Sequence, residues 1–167
     1  AALQTSLTAV ETDLADLLVS NNVYASTITI TNAASMASAL ALGNRVALMN
    51  AAVDITDSAT ISDTDLQTFI DRIKTTTAGF RYDSGSTTGY APTFDEMVSA
   101  TTFDIESAGP VSAKKLAAAT LVTMATTYTS KVTSLDLSAL ASVTTISSGA
   151  DGSETANNLT LASATNV

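Results

Sequence analysis

Apolar residues recur along this chain in a nine-residue template, apolar-x-apolar-x-x-small or apolar-x-x-apolar. Leu135, Leu137, Leu140 and Val143 carry its best copy, and Leu159, Leu161, Ala164 and Val167 carry a looser one. Val53–Ile61, Phe103–Val111 and Ile28–Met36 fit well, and Phe80–Thr88 fits in its first half. The starts at 28, 53, 80, 103, 135 and 159 are separated by 25, 27, 23, 32 and 24 residues. A recurrence of this size predicts a stack of units, each burying its apolar face against its neighbours.

Between the templates the pattern changes period. Leu3, Leu7, Val10, Leu14, Leu17 and Leu18 follow helical spacing, which predicts an amphipathic helix over 2–19. It holds no clear copy of the template, so it is expected to cap the stack at its N-terminal end. Strands are predicted at Ser26–Thr31, Val53–Thr56 and Phe103–Glu106, from β-branched and apolar alternation. Helices are predicted at Ser35–Leu42 and Arg45–Ala52. Another follows Ser62, an N-cap with Asp65 three residues on, and carries the stripe Leu66, Phe69, Ile70 and Ile73. Thr93-x-x-Glu96 reads as a capping box opening a helix to about Ala100, Gly109-Pro110 as a turn, and Ser112–Tyr128 as a long alanine-rich helix. From Lys131 the pattern is β.

The fold class expected is α/β: an irregular right-handed repeat solenoid of parallel strands, helical crossovers and an N-terminal capping helix. One continuous domain is expected, divided into a cap (1–22), irregular strand–helix repeats (23–131) and leucine-rich-like β repeats (132–167).

At Val132, Leu135, Leu137, Leu140, Val143 and Ile146, followed by Asn157, Asn158, Leu159 and Leu161, the spacing resembles leucine-rich-repeat-like solenoids of bacterial surface proteins and the related receptor L-domain pattern. The clear part covers the last 36 residues and the looser template covers 26–167. Unit length varies more here than in such repeats, and two connections are longer helices. The resemblance implies extracellular scaffolding or recognition and transfers no catalytic residue.

Composition narrows the function. Of 167 residues 16 are acidic and 7 basic, for a net charge of −9, which disfavours nucleic acid and anionic membrane surfaces. Cysteine, histidine and tryptophan are absent, so thiolate and imidazole chemistry is excluded. No apolar run reaches the roughly 20 residues that span a bilayer, and no signal peptide is evident, although Ala1-Ala2 could remain after small-residue cleavage.

Asp54, Asp57, Asp63 and Asp65 are the candidate metal ligands, of a kind suited to Ca²⁺; no other cofactor is expected. Against that reading, acids at a helix start are favoured by the helix dipole alone, and the EF-hand spacing is absent. The acidic loop 151–154 reads as a turn. Ser112-x-x-Lys115 lacks the remaining lactamase motifs and reads as a cap and a solvated lysine. Asp95 and Glu96 are adjacent and splay apart on a helix. Gly85–Gly89 is no phosphate loop, because no Lys-Ser/Thr follows it.

Phe80, Tyr82, Tyr90 and Phe94 place half of the eight aromatics within fifteen residues, either as a recognition surface around 81–92 or as core fill. Asn158-Leu159-Thr160 matches a glycosylation sequon. The chain is expected to be no enzyme but part of an extracellular, self-associating structural protein of a surface layer, fibre or sheath. The alternative is an adhesin or receptor-like module holding a glycan or protein. Leu159, Leu161 and Val167 mark the expected head-to-tail edge, and Tyr82 and Tyr90 the expected ligand anchors.

Overall fold

The computed structural model describes residues 23–84, 90–107, 109–124, 132–148 and 158–160. The expected helix 2–19, loop 85–89, turn 151–154, and both Leu161 and Val167 lie outside them. The chain is α/β, with mostly parallel strands and two α-helices among the described residues, which form no closed barrel.

The elements are β1 (Ile28–Ile30), α1 (Ala33–Leu40), a 3-10 turn (Gly43–Val46), β2 (Leu48–Met49), β3 (Val53–Thr56), α2 (Asp63–Arg72), β4 (Thr75–Thr76) and β5 (Phe80–Asp83). Then follow β6 (Ser99–Glu106), β7 (Gly109–Ser112), β8 (Ala118–Met124), β9 (Val132–Asp136), β10 (Ser142–Ser148) and β11 (Asn158–Thr160).

The register explains the template. Ile28 pairs with Val53, Val53 with Phe80, and Phe80 with Phe103, so the first four copies lie side by side across β1, β3, β5 and β6. The fifth neighbour in that row is Val122 of β8 and the sixth is Ile146 of β10. Leu135 and Leu159 instead pair with each other, beside Val111, in a separate three-stranded sheet β7-β9-β11. A third row runs through Met49, Thr76, Ala100, Ala119 and Val143 on β2, β4, the first half of β6, β8 and β10. Every one of these pairings is parallel.

Two helices form where the sequence places them. Asn32 caps α1: its side chain accepts from the Ala34 and Ser35 amides, while Ser35 Oγ accepts from the Asn32 amide. Ser62 Oγ accepts from the Asp65 amide at 3.1 Å, and Asp63 and Asp65 occupy the positive end of α2. Buried Met36 and Ala39 of α1, and Leu66, Phe69 and Ile70 of α2, face the core. Arg72 donates to the Leu40 carbonyl at 2.8 Å, tying the end of α1 to α2.

Three expected helices are strands or turns instead. Within Arg45–Ala52 the chain makes a 3-10 turn and then β2, where Met49 pairs with Thr76. Thr93–Ala100 is a single turn closed by Met97 N–H to Phe94 O, entering β6; Glu96 accepts from Lys74 and Lys115 rather than closing a capping box with Thr93, and Asp95 accepts from Ser112 Oγ and the Lys114 amide. The described part of the expected helix Ser112–Tyr128, up to Met124, repeats that turn, Leu116 N–H to Ala113 O, and then forms β8. Apolar residues spaced three apart suit a helix face, but here each triplet turns a corner. Gly109-Pro110 is likewise no turn: it begins β7, an edge strand where proline's missing donor is tolerated, with a register irregularity between the two residues.

The core is continuous. Phe94 meets Phe80 and Phe103 edge-on, each at 5.4 Å between ring centroids, and Tyr82 at 5.9 Å. Such pairs add to the stabilisation from area burial.

Candidate functional site

Alternation along parallel strands fixes which side chains leave the core. In the long row, the residues between the buried ones are Thr29, Asp54, Arg81, Asp104 and Thr123, in register across five strands. Arg81 stands among carboxylates. Its Nη1 bonds Asp54 at 3.0 Å, its Nη2 bonds Asp83 at 3.0 Å and Glu106 at 3.3 Å, and its Nε lies 3.8 Å from Asp104.

Partial burial alone would lower the guanidinium's pKa, but the hydrogen bonds and charges of Asp54 and Glu106 outweigh it and hold it above its ordinary value. Asp104 is pushed the other way for a carboxylate: burial and the nearby Glu106 raise it, against the pull of Arg81. Its Oδ1 is buried with no hydrogen-bond partner. The face therefore carries one cation among four acids, an excess of negative charge.

The four acids proposed from sequence as metal ligands occupy separate settings. Asp54 is paired to Arg81. Asp57 is buried beyond β3, accepting from Tyr82 Oη at 3.3 Å and the Ser58 amide at 2.7 Å. Asp63 and Asp65 lie in the first turn of α2. Among the described residues no group of three or more ligating side chains is placed to hold a metal ion.

Asp57, Ser84 and Ser107, each two residues beyond the last apolar strand position, are all buried. The Asp57 amide donates to Asp83 O and the Ser84 amide to Glu106 O, which continues the ladder past the strand ends.

The aromatics divide differently from the surface reading. Tyr82 is fully buried, so it offers no anchor to a ligand. Burial and the adjacent Asp57 raise its phenol well above the ordinary value. Tyr90 is half-buried and donates to Gln67 Oε1 at 2.8 Å; burial, then the acids Asp63 and Asp71, raise its pKa. Leu159 pairs with Leu135 on β11.

Ser112 and Lys115 do not meet as a catalytic pair: Ser112 Oγ donates to Asp95 at 2.6 Å and Lys115 Nζ to Glu96 at 2.6 Å. Glu96 also accepts from Lys74 at 2.8 Å. These bonds from Lys115 and then Lys74 hold its carboxyl at about 2.

A second face was not anticipated. Beside the third row, the outward residues are Thr75 on β4 and Thr77 just after it, Ser99 and Thr101 on β6, Ala118 and Thr120 on β8, and Ser142 and Thr144 on β10. They line a shallow open trough of about 290 Å³ that no charged side chain enters. Thr101 Oγ1 donates to Thr77 O at 2.7 Å, and Thr77 Oγ1 donates to Asn50 Oδ1 at 2.6 Å. The available signal was the x-Thr pair after each triplet, at Thr77, Thr101, Thr120 and Thr144, which the template starting at 28 does not include.

No protein-family model matches the chain, and no curated protein or solved structure matches it.

Proposed function

We propose that this chain is a segment of an extracellular structural protein, a right-handed repeat solenoid that self-associates in a surface layer, fibre or sheath. The observation carrying this reading is the register. Residues 19 to 27 positions apart stand side by side in three rows, which suits a stack whose units bury their apolar sides against their neighbours. Such a stack has a direction, and parallel edges extend by accepting another parallel strand. Among the described residues, β10 and β11 each have one strand neighbour. The composition, acidic and without cysteine, suits a soluble surface component that needs no redox environment.

The reading assigns no catalytic role. Ser112 and Lys115 are held apart by different acids, and histidine and cysteine are absent. No nucleic acid, bilayer insertion or resident cofactor is part of it. No helix among the described residues is long and apolar enough to cross a membrane.

Negative-stain microscopy and sedimentation across a concentration series, with and without Ca²⁺, test the proposal. Ordered polymers or sheets that grow with concentration are expected. A monomer at every concentration would sink it and favour the second reading, an adhesin or receptor-like module. The outward row around Arg81 favours that alternative, because it presents fixed charges on a rigid sheet and could hold a basic protein segment or a glycan.

A further inference from the structure

We propose that residues 1–22 dock in the trough beside α1 and cover the free side of β1, an intramolecular contact that does not rest on the scaffold reading. The trough measures about 420 Å³ and runs between β1 and α1. Tyr24, Ile28, Ser35, Ser38, Ala39 and Leu42 are among its lining, and no charged side chain enters it. Ser35, Ser38, Ala39 and Leu42 keep helical spacing, so they mark one side of α1 and of the residues just past it. On another side α1 is tied to α2 through Arg72. Among the described residues β1 has a single strand neighbour, β3.

Connectivity names the occupant. Tyr24 pairs in parallel with Met49: its amide donates to Leu48 O at 2.8 Å, and its carbonyl accepts from the Asn50 amide at 2.9 Å. Tyr24 therefore stands one unit before β2, in the row that continues through β4. In the two units that follow, a helix leads into that row, α1 into β2 and α2 into β4. The segment leading into Tyr24 is 1–22, and the same place one unit earlier lies beside α1, over the trough.

The segment has the chemistry for that place. Leu3, Leu7, Val10, Leu14, Leu17 and Leu18 make one apolar stripe at helical spacing, with Glu11, Asp13 and Asp16 off it. Against an uncharged trough the stripe leaves water while the acids stay in it. The rival occupant is a second copy of the chain. A second copy arrives at its bulk concentration, whereas a segment tethered at Val23 acts at an effective concentration on the order of millimolar. The trough is filled from within, and strand addition to β1 by another copy requires that 1–22 leave.

The chain has no cysteine, so engineered disulfides report this contact without background. In the full chain, Ser38→Cys is combined in turn with Leu14→Cys, Leu17→Cys, Asp13→Cys and Asp16→Cys, and the monomer fraction is oxidised. The two stripe positions are expected to form an intramolecular disulfide severalfold faster than the two acidic ones. With Thr68→Cys, exposed on α2, in place of Ser38→Cys, that preference should vanish. A separate variant, Leu14→Asp with Leu17→Asp, charges the stripe. Amide exchange across Ile28–Ile30 and Ala33–Leu40 should then quicken severalfold while that of β8 is unchanged. Circular dichroism and melting establish that each variant folds. Equal rates at stripe and acidic positions overturn the proposal, as does unchanged exchange in the double variant. A disulfide that forms only between chains also overturns it, because it places a second copy in the trough. Sedimentation on the same samples reads self-association separately, so failure here and failure of the scaffold reading are told apart.

Discussion

Two regions of the molecule stack parallel strands by different means. From Ile28 to Asp83 successive strands of the long row are linked through helices, α1 between β1 and β3 and α2 between β3 and β5. Between Thr93 and Ser148 the described links include three single turns, Phe94 to Met97, Ala113 to Leu116 and Leu137 to Leu140, each closed by an amide-to-carbonyl bond three residues back. The helix-linked part is filled by Met36, Leu66, Phe69, Ile70, Phe80 and Tyr82, whereas the turn-linked part beyond Phe94 and Phe103 is filled by Ala113, Leu116, Ala119, Val122, Leu137, Leu140 and Val143. A wide core needs large side chains and helices to close it. A narrow one closes with alanine and one turn. The two solutions share a single register, so neither disturbs the ladder that joins them.

The sharpest way to break this contrast is to truncate its large side chains. Phe80→Ala or Phe69→Ala, each fully buried in the helix-linked part, should lose about 3–5 kcal/mol in denaturant unfolding. Val122→Ala, further along the row that holds Phe80, should lose roughly 1–2 kcal/mol because less volume is removed. Equal losses would mean that the two regions do not differ in how their cores are filled.

The helix-linked part should also respond to its caps. Ser62→Ala leaves the Asp65 amide without its acceptor and should cost about 1 kcal/mol, with a loss of helical signal. Ser138→Ala, at a turn-linked corner, removes no such bond: the Ser138 amide, which donates to Asp136, is kept. Its midpoint should stay within about 0.5 kcal/mol of wild type.

Charge should separate the regions next. Arg81→Ala leaves Asp54, Asp83, Asp104 and Glu106 facing one another. Because the guanidinium is a third exposed, the loss should be about 1 kcal/mol at low salt and should shrink as salt is raised. Lowering the pH should partly rescue the variant. The raised carboxyl of Asp104 favours the folded state on the acid side, and that contribution fades as pH rises through its folded pKa.

The smallest effect belongs to Glu96. Its folded pKa lies at about 2 against an ordinary 4.5, so its contribution is present above 4.5 and is lost as pH falls toward 2. Acid unfolding of Glu96→Gln should lack that component, a difference readable as a smaller drop in melting temperature between pH 5 and pH 2.5. Identical acid profiles would show that the bonds from Lys74 and Lys115 do not persist in solution.

Much of the helix-linked region was legible. Ser62 and Asp65 are local signals, and the helix stripe of Leu66, Phe69 and Ile70 has no competing strand reading; the Asn32 cap of α1, two residues before the expected start at Ser35, went unread. Val53–Thr56 matched to the residue. The turn-linked region misled because its triplet spacing is ambiguous. Leu137, Leu140, Val143 and Ile146 were recognised as β, yet Ala113, Leu116, Ala119 and Val122 carry the same spacing and pointed to a helix. Alanine's helix propensity decided that reading, and cross-strand pairing with β6 and β10 overrides it in the fold. The candidate sites were less legible still. Asp54 drew attention as a metal ligand, but its partner is Arg81, 27 residues away, and no local pattern names that pairing.

By itself the sequence determined the local events: which residues cap helices, which alternate, and that an apolar template returns about every two dozen residues. Those depend on neighbours within a turn or a strand, where sterics and hydrogen bonds are short-ranged. Only the tertiary structure decided which copies stand side by side. The row from Ile28 to Phe103 passes on to Val122, while Leu135 and Leu159 lie in another sheet. That choice depends on how far each link carries the chain before it returns, and a nineteen-residue turn-linked step and a twenty-seven-residue helical one bring different residues to the same height. The acidic face around Arg81 and the threonine face both arise from that alignment, because each is assembled from single residues on separate strands.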